Sequence, residues 1–170
     1  MGIAVNVSSE LPEGAATAAL RDVLISAGSL PVFVPLHPST PPTVILAALS
    51  QVEARPPVVL RNLVGTQEEL ALLQLPGFYA CVDGAVTFRS ATKDLLDFVF
   101  DCPGDRLLLC SSAPNALPAE LGGGRGRICM PPDVVFTARV VADIRKVEVE
   151  ELLSVVMDNV ARVIFGRGRS

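Results

Sequence analysis

A chain of 170 residues, half of them hydrophobic and carrying a net charge of −4, is long enough for one domain with a sizeable core. Its pI near 5.0 argues against the broad basic footprint of a nucleic-acid binder. No apolar run reaches the roughly 18 residues that a membrane span needs. A mean hydropathy of +0.48 with only 19% charged residues is greasy for a monomer of this size and points to burial in an assembly.

In chain order, Gly2–Val7 (GIAVNV) reads as a first strand. Ser8 and Ser9 are placed to cap the next helix, and Pro12 suits that helix's first turn. Ala15–Ala27 carries Ala19, Leu20, Val23, Leu24 and Ala27 at helical spacing, with Gly28 as the stop. Pro31–Leu36 (PVFVPL) is the second strand. Thr40, Pro41 and Pro42 open a helix over Val44–Glu53 with Ile45, Ala48, Leu49 and Val52 on one face. Pro57–Leu60 is the third strand, and Thr66 with Glu69 makes a capping box for a helix through Leu75. Gly77–Val82 is the fourth strand. Ala91–Phe100 is amphipathic, with Leu95, Leu96, Val99 and Phe100 facing inward. Leu107–Leu109 is a short fifth strand buried on both faces. A long loop over 117–130 leads to two final helices, Val134–Ile144 and Val149–Phe165. Short strands alternating with helices mean βαβ units, so the fold class is α/β with a parallel sheet of about five strands and flanking helices.

Chemistry in such a sheet sits at the carboxyl ends of the strands. Those positions hold Ser8 and Ser9, His37, Arg61 and Asn62, Asp83, and the trio Cys110–Ser112. A hydrolytic metal site needs several His, Asp or Glu ligands converging on one point. This chain has one His and a single carboxylate at those ends. A site made of His37, Asp83 and Cys110 has nothing at sequence level to pair its members. The plainer reading makes His37 a loop histidine, has Asp83 accept backbone hydrogen bonds in a turn with Gly84, and leaves Cys110 a buried, inert thiol. Cys81, Cys102, Cys110 and Cys129 form no CxxC pair, and the N-terminus lacks the basic-then-apolar order of a signal peptide. The thiols therefore read as reduced and the protein as intracellular, cytoplasmic in preference to an organelle matrix. Gly122–Arg127 (GGGRGR) lacks the Lys-Ser/Thr ending of a P-loop and reads as a solvated loop.

GFYACVDGAVTF (Gly77–Phe88) resembles the GFYIGISGAVTF stretch of TatD-type metal-dependent deoxyribonucleases of the amidohydrolase superfamily. Around it, LPVFVPLHPS (Leu30–Ser39), VVLRNLVGTQEEL (Val58–Leu70), DRLLLCSSAPN (Asp105–Asn115) and DNVARVIFG (Asp158–Gly166) resemble, in the same order, the family's LPVxIHSRDA, xxLHCFTGSxEEA, DRLLLETDAPY and xNARRLFG. The resemblance implies a (β/α)8 barrel with metals at the strand carboxyl ends, of which this chain supplies a partial, TIM-type piece. Residues 1–166 form a single TatD-like domain and 167–170 a short basic tail.

The same resemblance implies that the metal ligands are gone. The family's His after PVxI falls on Pro35, the His of HCFTG on Arg61, and the Glu and Asp of ETDAP on Cys110 and Ser112. Ile3 takes the Glu position of the family's GExGLDY strand, and Asp83 stands where the family has Ser. Arg61 has no lone pair to give a cation. It is expected to pair with Asp83 or cap carbonyls, or else to form an anion or polar site with Asp83 and His37. No cofactor and no catalytic residue is expected. The reading is a TatD-like pseudoenzyme with a structural or protein-interaction role; the alternative is a residual TatD-type hydrolase with a remodelled site, completed by another subunit. A five-stranded arc is expected to leave two edges and its inner face open, so a protein partner, a second copy or a larger complex, is expected to cover them.

Overall fold

The computed structural model describes residues 2–4, 11–36, 40–53, 55–114, 117–122 and 127–166. Five strands, β1 (Ile3–Ala4), β2 (Val32–Pro35), β3 (Val58–Arg61), β4 (Phe78–Val82) and β5 (Leu107–Leu109), form one sheet in the order β1-β2-β3-β4-β5. All neighbouring pairs are parallel. Helices α1 (Glu13–Ala27), α2 (Pro42–Leu49), α3 (Gln67–Leu72) and α4 (Lys93–Asp101) make the crossovers, and α5 (Val134–Arg145) and α6 (Val149–Phe165) come after β5. Strand order equals chain order, so the sheet has no switch point and is singly wound, unlike an open doubly wound sheet.

The two faces of the sheet differ. Val32, Val34, Val58, Leu60, Phe78, Ala80, Val82 and Leu107 form one core with Leu20 and Leu24 of α1, Ile45 of α2, Leu72 of α3, Phe98 of α4, Val141 of α5 and Val156 of α6. All six helices therefore meet the same, outer face. The alternate residues Val59, Tyr79, Cys81 and Leu108 make a second cluster on the inner face. Burial on both faces explains why the strands read as continuous apolar runs.

Element ends obey local chemistry. In α2 the helix stops at Leu49, short of Glu53, because the Ser50 hydroxyl and the Gln51 amide both donate to the carbonyl of Ala47. Helix α3 stops at Leu72, with Leu73, Gln74 and Leu75 bonding three residues back in the tighter 3₁₀ manner. Its N-terminus is capped by Thr66, whose hydroxyl accepts from the Glu69 amide at 3.2 Å. The buried Glu69 carboxylate turns further back, to the amides of Val64 and Gly65. Gly65 has φ +92°, and a Cβ there would lie 2.3 Å from the backbone of Asp94, so this glycine lets the entry to α3 press against the start of α4. Helix α4 begins at Lys93, capped by Thr92, and buries Leu95, Phe98 and Val99. Phe100, expected to face inward, is 52% exposed because the 95/98/99/102 stripe points it away from the core. The residues 5–10 proposed to end the first strand and cap α1 lie outside the described residues; Pro12 is the N-cap, its carbonyl accepting from Ala16.

At β5 the expectation of an open edge is corrected, the helix from Val149 folding over it. The 17-residue helix α6 lies along β5 and reaches both sides of the sheet. Leu152 and Val156 pack into the outer core, while Val163, with Val160 and Ile164 against it, joins the inner cluster. Val59, Tyr79, Cys81 and Leu108 are buried there, whereas Phe33 of β2 is only partly so. The buried Asn159 amide donates to the carbonyls of Gly104 and Leu107 at 2.7 and 2.8 Å, giving a carbonyl of the edge strand a partner.

Asn159→Ala leaves both carbonyls buried without that donor, and should lower unfolding stability by about 2–4 kcal/mol. Urea denaturation measures it; a loss under about 0.5 kcal/mol would mean that these carbonyls do not depend on α6.

Candidate functional site

The carboxyl end of the sheet brings four of the sequence-selected residues together. Arg61 is the last residue of β3 and lies on the inner face, in register with Pro35 of β2. Asp83 comes directly after β4, and Cys110 and Ser112 come just after β5. The Ser112 hydroxyl donates to Asp83 Oδ2 at 2.8 Å and accepts from Arg61 Nη2 at 3.2 Å. Cys110 Sγ lies 3.4 Å from the same Oγ. Arg61 and Asp83 are therefore joined through Ser112 and not by a direct ion pair. Asp83 also accepts from the Ala85 amide at 2.9 Å, capping the short 3₁₀ turn Gly84–Thr87 as the Asp-Gly pair suggested.

Backbone strain marks the same place. Asn62, next after Arg61, and Ser112 have φ of +56° and +49°. Asn tolerates the left-handed region, whereas for Ser it costs roughly 1–2 kcal/mol. Such a cost is held where surrounding contacts fix it, and here Arg61, Asp83 and Cys110 all bond Ser112.

Pro35 is half-buried beside Arg61 and offers no donor or lone pair from its ring. His37 lies outside the described residues. Among the described residues, no group of three His, Cys, Asp or Glu is placed to hold a metal ion. Part of the Gly122–Arg127 loop is also outside them; Arg127 pairs with the buried Asp133 at 3.2 Å.

Cys81 was missed as a site residue. It sits on β4, on the same inner face as Arg61, and its thiol interacts with that of Cys110. The available signal was parity: once Tyr79 faces the interior, Cys81 must do so too. The hydrogen bond from Cys81 stabilises the Cys110 thiolate and brings Cys110 down from the ordinary 9.0 to about 6. Burial opposes this, the Ser112 hydroxyl assists, Asp83 opposes, and Arg61 assists. Cys81 moves the other way, pushed well up by its bond to Cys110 and by burial. The expectation of a buried Cys110 is thus corrected: the thiol is half-buried, and its neighbours favour the thiolate.

No sequence signal marked a cavity of about 480 Å³ between the β2–α2 and β3–α3 connections, lined by Leu36, Pro41, Pro42, Asn62 and Val64. Its walls are mainly apolar, and the carboxylate of Glu69 beside it is occupied by loop amides.

With a singly wound parallel arc and its carboxyl-end cluster in view, the relationship is clear. A family model for TatD related DNase matches residues 2–165, and the chain belongs to that family. The uncharacterized metal-dependent hydrolase YcfH of Escherichia coli (strain K12) is 39% identical over 87 residues, covering 51% of this chain and 31% of YcfH. The uncharacterized metal-dependent hydrolase YabD of Bacillus subtilis (strain 168) is 28% identical over 105 residues, covering 62% of this chain and 40% of YabD. These matches span less than half the length of either relative. The crystal structure of YjjV, a TatD homolog from Escherichia coli K12, superposes with a TM-score of 0.75 at 20% identity, over 97% of this chain and 62% of that one. A TatD family hydrolase from Entamoeba histolytica gives 0.73 at 16% identity with the same coverage. At such identities the structures establish a shared fold, in which this sheet is an arc of a TIM-like barrel.

The opposed thiol shifts make stability depend on pH. Between about 6 and 9 the unfolded chain keeps a proton on Cys110 that the folded chain has released, so stability rises with pH across that window. Above 9.0 the unfolded chain loses the Cys81 proton while the folded chain holds it, so stability then falls. Urea midpoints should track this course, and Cys110→Ser should flatten the rising limb; an unchanged slope in that variant would contradict it.

Proposed function

We propose that this chain is a catalytically silent member of the TatD family with a structural or protein-interaction role. The observation that carries the reading is Arg61. Its guanidinium stands at the carboxyl end of β3, tied through Ser112 to Asp83. A metal centre there needs lone pairs, and a guanidinium has none and repels a divalent ion. Among the described residues, the remaining donors form no group of three His, Cys, Asp or Glu that could hold a metal. Asp83 is engaged by Ser112 and Ala85, Ser112 is a neutral hydroxyl, and Pro35 brings nothing. No step of hydrolysis is therefore assigned to this cluster.

Association is part of the same proposal. Leu153, Met157 and Phe165 of α6 are 38%, 64% and 68% exposed, an apolar surface suited to a second copy or a larger complex. Four free cysteines suit a reducing, intracellular setting. No helix among the described residues is long and apolar enough to cross a membrane. The competing reading, a remodelled hydrolase completed by another subunit, draws on the names of YcfH and YabD as metal-dependent hydrolases.

Two measurements test the proposal. The purified chain should cleave no DNA with Mg, Mn or Zn and show no metal-dependent thermal shift. Mg- or Mn-dependent cleavage that persists to homogeneity and disappears in Asp83→Asn would overturn the silent reading. Sedimentation at micromolar concentration should give a dimer or larger species, and a stable monomer would remove the self-association part.

A further inference from the structure

We propose that Cys110 is a site of oxidation by hydroperoxides, its sulfur attacking a peroxide oxygen held by Arg61, which Ser112 positions beside it. This inference does not depend on whether the family's hydrolytic chemistry survives.

Three groups converge here. Cys110 Sγ and Arg61 Nη2 approach the same Ser112 oxygen, at 3.4 and 3.2 Å. A peroxide beside the sulfur therefore meets the guanidinium, while Ser112 gives its own hydrogen to Asp83 at 2.8 Å. Among the described residues the guanidinium makes one hydrogen bond, so most of its five N–H donors stay available to an oxygen. The charged and titratable groups facing Cys110 are Cys81, Arg61 and Asp83. Cys81 and Arg61 favour the thiolate, the form that reacts, while Asp83 opposes it.

The other thiols are set apart. Cys102 is buried and pushed up to about 12 by that burial. Cys129 is buried, and its thiol donates to the Ser111 carbonyl at 3.2 Å. Cys81 is buried and held protonated by its neighbour. Cys110 alone among the four is half-buried, at the open end of β5.

In the reaction a sulfur lone pair forms the S–O bond and the O–O bond breaks. The sulfur is oxidised by two electrons, and the departing hydroxide takes a proton to become water. Arg61 donates hydrogen bonds to the oxygens as that charge develops, while the Ser112 hydrogen stays with Asp83. The first product is the sulfenic acid. Cys81 is in register with Leu108, two residues before Cys110, so a disulfide between them requires the chain after β5 to move.

The full-length chain, treated with one equivalent of hydrogen peroxide at pH 7 and then dimedone, is mapped by mass spectrometry. Modification at Cys110, as dimedone adduct or joined to Cys81, should exceed that at Cys102 and Cys129 by about tenfold. Rates are then compared per thiolate, whose fraction in each variant is read from the pH dependence of its iodoacetamide alkylation. Ser112→Ala and Arg61→Ala should each slow peroxide oxidation by about fivefold or more while leaving iodoacetamide alkylation unchanged, since alkylation needs no held oxygen. If either variant fails to fold, the wild type decides alone: its peroxide-to-iodoacetamide rate ratio should exceed that of free cysteine by about tenfold. Even modification of all four thiols, or a ratio no higher than that of free cysteine, overturns the proposal.

Discussion

The arrangement of α6 against β5 is the constraint on which this structure depends. Five parallel strands in chain order cannot close on themselves, so the last strand presents a row of backbone groups with no strand beyond it. Helix α6 answers with side chains. Asn159 takes the carbonyls of Gly104 and Leu107, while Leu152 and Val156 on one side and Val163 on the other hold the helix across the rim of the sheet. Remove that cover and both the polar edge and the inner apolar face meet water together.

With the edge held, the loops leaving β3, β4 and β5 are fixed relative to one another. That allows one small hydroxyl, Ser112, to join a cation, a carboxylate and a thiol from three different strand ends. The left-handed backbone at Ser112 is the local cost of the junction. The bridge sets the charge of Arg61 against that of Asp83 at the carboxyl end of the sheet.

Family membership and fold do not by themselves carry activity, because function lives in the site. Here the family match and the shared fold are clear, while the carboxyl end of the sheet holds a guanidinium, a carboxylate, a hydroxyl and a thiol. A guanidinium beside an acidic thiol is suited to holding oxygen atoms and to soft nucleophilic attack, and is unsuited to binding hard cations.

Much of the fold was legible in the sequence. The strand–helix alternation, the bounds of β5 and α6, and the caps at Thr66 and Asp83 all rest on neighbours within a few residues, where apolar period and hydrogen-bonding side chains act directly. The residue types at Pro35, Arg61, Cys110 and Ser112 were equally plain, since they concern side-chain identity alone. What the linear chain could not express is contact across 29 and 51 positions, the separations that join Ser112 to Asp83 and to Arg61. Nor could it express the meeting of Cys81 and Cys110, which requires β4 and β5 to pair in one register, or the wrapping of α6 onto both faces of the sheet. Those facts depend on how elements pack in space. Packing alone places Cys81 against Cys110, where its hydrogen bond favours the ionised sulfur.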